Sequence, residues 1–229
     1  MRMSCLLAVA VGCGRSASPP PEAPATPETA TNVDIADDAM PLVDAWAEAL
    51  GGRDAISRLG TVHVKGDCVI DQRACTFESF VSPAGEVRYA VTYPDGGFAY
   101  AFDGTAGWRK EGDAVTDLAG ADLESARRAS FLDSYSMFYP DRQYGRITRD
   151  GAASLAILPR GASTPIVMRF RGDQLPVSGD GTGFRVVYTA WNEYLGVQVP
   201  QAWTSGPTGS ENTFRVSRID DDKGTYTKP

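Results

Sequence analysis

The chain of 229 residues is long enough for one domain with a substantial core, and its charge excludes one class of partner. Its composition is 42% hydrophobic and 22% charged, while 24 Gly and 15 Pro favour strands and turns over long helices. Nucleic-acid binding needs clustered Lys and Arg, whereas this chain has a formal net charge of -7. We therefore expect a mainly β protein with no nucleic-acid partner.

The first 12 residues have the pattern of a bacterial signal peptide. Arg2 supplies a positive start, residues 5–11 form a short apolar stretch, and Gly12 precedes Cys13. This arrangement resembles a lipobox, in which the cysteine receives a diacylglycerol and becomes the new N-terminus. The resemblance makes Cys13 the lipidation site and predicts attachment to a membrane through an N-terminal lipid anchor. The alternative is a buried N-terminal element with incidental cysteines.

Residues 13–38 are predicted to be the lipidated cysteine and a disordered tether. They consist mainly of Pro, Ala, Thr, Ser and Glu, with too few large apolar side chains to offset the entropy of ordering. Gly14 stands where Asp retains some bacterial lipoproteins at the inner membrane, so the outer membrane is favoured. These features predict a folded domain over residues 39–229, on the periplasmic side of the cell envelope.

Two cysteines remain for the folded domain, Cys68 and Cys75. Residues 62–68 and 75–81 have the pattern of strands, with Asp71-Gln72 at the tip of a hairpin between them. Pairing the cysteines opposite each other gives one mainly apolar face and one mainly polar face. The apolar face then holds Val62, Val64, Gly66, Phe77, Ser79 and Val81, and the polar face holds His63, Lys65, Asp67, Thr76 and Glu78. This register predicts a disulfide between Cys68 and Cys75. One alternative is two reduced thiols. The other is a metal site, although the two cysteines and the sole histidine are fewer than the four ligands that zinc needs.

Apolar periodicity predicts few helices and about ten strands. Residues 39–59 have helical spacing, with Asp38 as a cap, Pro41 in the first turn and an interruption at Gly51-Gly52. One further helix is predicted from residue 121 to about 139, whereas alternation with a period of two dominates elsewhere. Because two or three helices cannot cover a long antiparallel sheet, the sheet must curve around them into an unclosed β-barrel.

The hollow side of this barrel is predicted to be lined by bulky side chains from two strands and the internal helix. These candidate cavity residues are Val87, Tyr89, Val91, Tyr93, Phe98, Tyr100, Phe102, Phe131, Tyr135, Met137 and Phe138. We expect an apolar pocket of about several hundred cubic ångströms between the helix and these strands. The alternative is a filled core, which has the same composition.

Three segments resemble the bacterial LolA/LolB-like superfamily of periplasmic lipoprotein-sorting proteins. They are residues 49–55 (Ala-Leu-Gly-Gly-Arg-Asp-Ala), residues 102–108 (Phe-Asp-Gly-Thr-Ala-Gly-Trp) and the strand pair over residues 188–200. The resemblance spans roughly residues 39–229. It implies a mainly β, α+β fold, in which a strongly curved antiparallel sheet forms an unclosed barrel with a helical lid. It also implies an apolar cavity for acyl chains of lipoproteins or related lipids.

Little in the sequence favours an enzyme. The chain has one histidine, His63, which falls on the predicted solvent face, and it has no phosphate loop, zinc-binding helix or nucleophile elbow. We therefore expect a monomeric lipoprotein without cofactor or metal that binds an acyl chain or the lipid part of a lipoprotein, in trafficking to the outer membrane. The alternatives are a non-catalytic structural or partner-binding lipoprotein with a filled barrel, and a hydrolase using His63 or a cavity carboxylate.

Overall fold

The computed structural model describes residues 33–139, 142–207 and 211–220 of the chain. The predicted signal peptide, Cys13 and the tether up to residue 32 lie outside the described residues. Residues 33–38, predicted as the end of the tether, are folded, because Asp34–Ile35 forms a strand and Val33, Ile35 and Ala36 pack against the core. The domain therefore begins earlier than the predicted boundary.

The described residues form three α-helices, one 3-10 helix and fourteen strands. The helices are α1 (Met40–Ala49), α2 (Arg53–Ser57), α3 (Gly120–Asp133) and the 3-10 helix Ser136–Phe138. The first seven strands are β1 (Asp34–Ile35), β2 (Val62–Ile70), β3 (Arg73–Val81), β4 (Val87–Tyr93), β5 (Gly96–Phe102), β6 (Gly107–Glu111) and β7 (Ala114–Asp117). The others are β8 (Gly145–Gly151), β9 (Ser154–Pro159), β10 (Ile166–Phe170), β11 (Pro176–Gly181), β12 (Phe184–Tyr194), β13 (Val197–Gly206) and β14 (Asn212–Asp220).

All fourteen strands belong to one sheet, built from two meanders. The strands β2 to β7 follow one another on one side and β8 to β14 on the other, and β14 joins the halves by pairing antiparallel with β2. The two edges are β7 and β1, and β1 pairs parallel with β8. The sheet is curved and its edges do not pair, which confirms the predicted unclosed barrel.

The β2–β3 hairpin has the register predicted from its cysteines. Cys68 lies opposite Cys75, and the two form a disulfide. Val62 lies opposite Val81 and Gly66 opposite Phe77, so the apolar face is continuous along the hairpin. Asp71 and Gln72 take positive φ values of 49° and 65°, as a tight two-residue turn requires.

The helices lie on the concave side of the sheet. The helices α1 and α2 and the 3-10 helix pack against β8 to β13 in the largest core cluster, where Trp46 contacts Phe138 and Phe170 with ring centroids 5.0 Å apart in each pair. The helix α3 contacts β4, β5 and β9, so it crosses between the two halves of the sheet. This is the predicted helical lid.

Three local predictions need correction. The helix predicted over residues 121–139 ends at Asp133, because Tyr135 takes a left-handed conformation with φ 56° and a 3-10 turn follows. Asp38 is not a cap, since α1 begins after Ala39 without a side-chain cap. The strands β1 and β11 were missed, because β1 has two residues and β11 contains Pro and two Gly. Within the described residues, no helix has the length and apolarity to cross a membrane.

Candidate functional site

The concave face of the sheet carries rows of large side chains that cross several strands. Two such rows are Tyr188, Trp203, Phe214, Cys68 and Cys75, and Ile219, Val64, Ser79, Tyr89 and Tyr100. The rings of Trp203 and Phe214 stack with centroids 5.3 Å apart, and those of Tyr89 and Tyr100 lie 5.5 Å apart. The strands therefore supply a continuous aromatic wall inside the half-barrel.

The predicted cavity residues divide into two groups. Six are buried and belong to the core: Val87, Val91, Phe102, Phe131, Met137 and Phe138. Five keep part of their surface exposed: Tyr89, Tyr93, Phe98, Tyr100 and Tyr135. The exposed group is aromatic throughout, and its first four members belong to the concave face of β4 and β5. These five are the predicted residues that a ligand could contact without unfolding the core.

A pocket lies beside the C-terminal end of α3, and it is smaller than the predicted cavity. Its volume is about 50 Å³. Its lining residues are Trp46, Leu50, Leu132, Asp133, Tyr135, Met137, Met168, Pro176, Tyr188, Trp191 and Pro200. The predicted site between α3 and β5 is packed instead, because Phe102, Leu118 and Ala126 form a buried cluster with Tyr100 and Leu123 against it.

Asp133, the last residue of α3, brings a carboxyl group into the concavity. It lines this pocket and also a second, smaller one next to Val62 and Val81 of the opposite half of the sheet. The side chain is exposed, yet protein surrounds it, and the resulting desolvation raises its pKa to about 7. Both properties fit a group that faces an enclosed, solvent-accessible space. No described residue donates a hydrogen bond to this carboxyl or forms an ion pair with it.

Tyrosines from both walls face the Asp133 carboxyl. Desolvation raises the pKa of Tyr100 on β5 and of Tyr188 on β12, and the nearby charge of Asp133 raises each further. The pKa of Tyr135 is raised by the same two causes. Because one carboxyl acts on β5 and β12 together, the C-terminal end of α3 lies between the two halves of the sheet.

Arg53 fixes the turn that follows α3. Its guanidinium donates a hydrogen bond to the carbonyl of Phe138 and lies over the Phe138 ring, 5.7 Å from the centroid. The same guanidinium pairs with Asp44 at 2.8 Å. The main-chain carbonyl of Arg53 accepts a hydrogen bond from the hydroxyl of Tyr139. The resemblance segment over residues 49–55 therefore positions one wall of the pocket.

The prediction that His63 faces solvent is wrong. Its side chain is 2% exposed, and its ring stacks on Phe80 with centroids 3.9 Å apart. Its Nδ1 lies 2.9 Å from Asp220 and its Nε2 2.8 Å from Glu78, so the ring links β2, β3 and β14. Desolvation raises the pKa of Glu78, but hydrogen bonds from Lys65 and then His63 outweigh it, and the net pKa is lowered. Among the described residues, no group of three His, Cys, Asp or Glu could hold a metal ion.

Sequence reasoning missed Asp133, Trp46, Tyr188 and Trp191 as site residues. Tyr188 and Trp191 fall in the resemblance segment over residues 188–200, where the alternation shows only that they belong to a strand. Asp133, the last residue of α3, interrupts the predicted apolar stripe, in which Leu132 precedes it and Tyr135 follows it. An acid at such a position is the signal that could have identified it, because local polarity there conflicts with the surrounding pattern.

No family model matches the sequence, and no curated protein matches it. Two solved structures have a similar fold. A DUF1329 family protein from Desulfovibrio piger superposes with a TM-score of 0.56 at 11% identity, covering 83% of this chain and 96% of that protein. A LolA superfamily protein from Nitrosomonas europaea superposes with a TM-score of 0.54, also at 11% identity, covering 82% and 94%. The curved, unclosed sheet crossed by α3 thus has a LolA-like fold.

Proposed function

We propose that this chain is a lipid-anchored protein of the bacterial cell envelope that binds the acyl chain of a lipid or lipoprotein. In this proposal it acts as a monomer on the periplasmic side of the outer membrane, in lipoprotein or lipid trafficking. Binding by burial requires no chemistry, so the proposal includes no enzymatic activity and no cofactor.

The observation that carries the proposal is the partly exposed aromatic wall inside the half-barrel. This wall consists of partly exposed residues on the concave face, namely Tyr89, Tyr93, Phe98 and Tyr100. The helices cover the other half of the sheet more completely. Burying an acyl chain against such a face contributes roughly 0.8 kcal/mol for each methylene removed from water. Because the pocket of about 50 Å³ is far below the roughly 300 Å³ of a typical ligand site, the acyl chain is expected to lie along the exposed part of this wall rather than in the pocket.

Binding of a fluorescent fatty acid tests the proposal, together with mass spectrometry of lipids extracted from the purified full chain. Phe98→Ser removes a partly exposed ring from the wall and is expected to weaken binding about ten-fold. Val115→Ser is the matched control, because Val115 is 38% exposed and belongs to β7 at the edge of the sheet. Recovery of no lipid, or equal affinities for the two variants, would reject acyl-chain binding on this wall.

The lipid anchor has its own test. Cells expressing the full chain are supplied with an alkyne-bearing palmitate analogue, and incorporation is compared between the wild type and Cys13→Ser. We expect labelling of the wild type alone, together with recovery in the outer-membrane fraction. Labelling that persists in Cys13→Ser would contradict the assignment of Cys13.

A second candidate is a non-catalytic envelope lipoprotein with a filled barrel that binds a protein partner or acts structurally. The packing of Phe102, Leu118 and Ala126 beneath α3 favours it, because this contact leaves little room where the cavity was predicted. It predicts that neither extraction nor titration detects lipid. The fatty-acid assay therefore distinguishes the two candidates directly.

A further inference from the structure

Among the described residues, the pocket at the C-terminal end of α3 is lined by one acid and no base. The eleven described lining residues include Asp133 but no Lys, Arg or His. The carboxyl has no hydrogen-bond donor and no ion-pair partner among the described residues. A carboxylate in such surroundings lacks the compensation that buried charges usually have, and a cation is the ligand that would supply it.

Four aromatic residues line the same pocket as this acid. Trp46, Tyr135, Tyr188 and Trp191 all line the pocket, and the rings of Tyr188 and Trp191 lie 5.2 Å apart with a 41° tilt. Aromatic faces attract ammonium groups through the ring quadrupole, and the attraction is strongest where water is excluded. A volume of about 50 Å³ would admit a small head group rather than an acyl chain.

Two of these rings also offer unused donors. The indole N–H groups of Trp46 and Trp191 are buried and have no hydrogen-bond acceptor in the part of the chain that the structure describes. A buried donor without an acceptor is unfavourable, and an oxygen of a bound ligand would satisfy it. A zwitterionic head group carries both an ammonium and anionic oxygens, so it matches the acid and the indole groups together.

We propose that this pocket binds an organic ammonium group, with Asp133 as its counter-ion. The chemistry fits the ethanolamine head group of a phospholipid whose acyl chain lies on the aromatic wall, and this lipid identity rests on the proposed function. It also fits a free amine, which the pocket could bind without any acyl chain.

The binding should depend on pH. Because desolvation by the surrounding protein raises the pKa of Asp133 to about 7, the fraction of carboxylate increases through neutral pH. The other titratable groups facing it are Tyr100, Tyr135 and Tyr188, whose pKa values are raised far above neutral, and the guanidinium of Arg142 beside the smaller pocket. The three tyrosines stay neutral between pH 5.5 and 8, so affinity for an ammonium ligand should follow the carboxylate fraction and increase about thirty-fold over this range.

Titration of the full chain with two lysophospholipids of equal chain length tests the proposal. Binding is followed by tryptophan fluorescence and calorimetry, using lysophosphatidylethanolamine, lysophosphatidylglycerol and ethanolamine alone. At pH 8 we expect the ethanolamine lipid to bind about ten-fold more tightly than the glycerol lipid. Asp133→Asn should abolish this preference, whereas Asp122→Asn, an exposed acid on the same helix, should keep it.

The outcomes separate the two proposals. Equal affinity of the wild type for both lipids, or a preference that Asp133→Asn retains, would overturn the ammonium pocket and leave acyl binding intact. If ethanolamine binds in a way that depends on Asp133, and neither lipid binds more tightly than ethanolamine, the result would support the pocket and reject acyl binding. Absence of binding by all three ligands would reject both.

Discussion

The Asp133 carboxyl should make the domain less stable as pH increases. Its pKa is about 7 in the folded state against the ordinary 3.8, so folding opposes its ionisation. The resulting loss in the free energy of unfolding is absent at pH values below the ordinary pKa. It grows as pH increases and is complete above pH of about 7. A shift of this size corresponds to about 4 kcal/mol, and because the carboxyl is exposed inside the concavity we expect about 1 to 2 kcal/mol after solvent screening.

Asp133→Asn should therefore stabilise the domain at pH 8 and leave it nearly unchanged at pH 4. For a domain of this length, each kcal/mol raises Tm by about 2 to 4 °C. Thermal unfolding of the wild type, Asp133→Asn and the control Asp122→Asn would be followed by circular dichroism at both pH values. The control should differ from the wild type by less than about 0.5 kcal/mol. A destabilised Asp133→Asn at pH 8 would show that the carboxylate is favourably solvated or paired, and would refute the reasoning.

Three further substitutions test the packing around the site, each by urea unfolding. Gly51→Ala should cost more than about 2 kcal/mol, because φ is 116° and a Cβ would lie 2.0 Å from the carbonyl oxygen of Gly196, whereas Gly112→Ala meets no atom within 4 Å and should cost about 1 kcal/mol. His63→Ala should cost about 2 to 3 kcal/mol, since it removes a stacked ring and one hydrogen bond from each of two carboxylates, while the exposed Lys65→Ala should cost far less. Replacing both cysteines of the β2–β3 hairpin by serine should cost about 2 to 3 kcal/mol, and an unchanged midpoint would contradict a stabilising disulfide.

The fold was largely predictable from the sequence because its strands obey a simple alternation. The cysteine pair fixed the register of β2 and β3, and the alternating rings between Val87 and Phe102 identified the concave face. The Asp103-Gly104 pair is typical of a turn, and in the structure the Asp103 carboxylate accepts hydrogen bonds from the amides of Thr105 and Ala106 at 2.9 Å each.

The site itself was less predictable, because it depends on contacts between distant segments. Polarity alternation placed His63 on the solvent side, but it could not reveal that Phe80 and the end of β14 would cover its ring. Likewise, the pocket brings together α1, the turn after α3 and β12, which are remote in sequence. No periodicity within one segment specifies how such elements meet, so the observed pocket lies at the C-terminal end of α3 rather than between α3 and β5.

The loss of stability that Asp133 causes at high pH and its binding of an ammonium ligand must be linked thermodynamically. A ligand that binds only the folded state stabilises it in proportion to its affinity, so an ammonium lipid that neutralises the carboxylate should restore the stability lost at pH 8. The increase in Tm on adding lysophosphatidylethanolamine should then be larger for the wild type than for Asp133→Asn, and the difference should shrink at pH 5.5, where the carboxyl is mostly protonated. Lysophosphatidylglycerol should give the same increase for both proteins. Equal increases with the ethanolamine lipid would mean that the acid which weakens the fold is not the group that the ligand compensates.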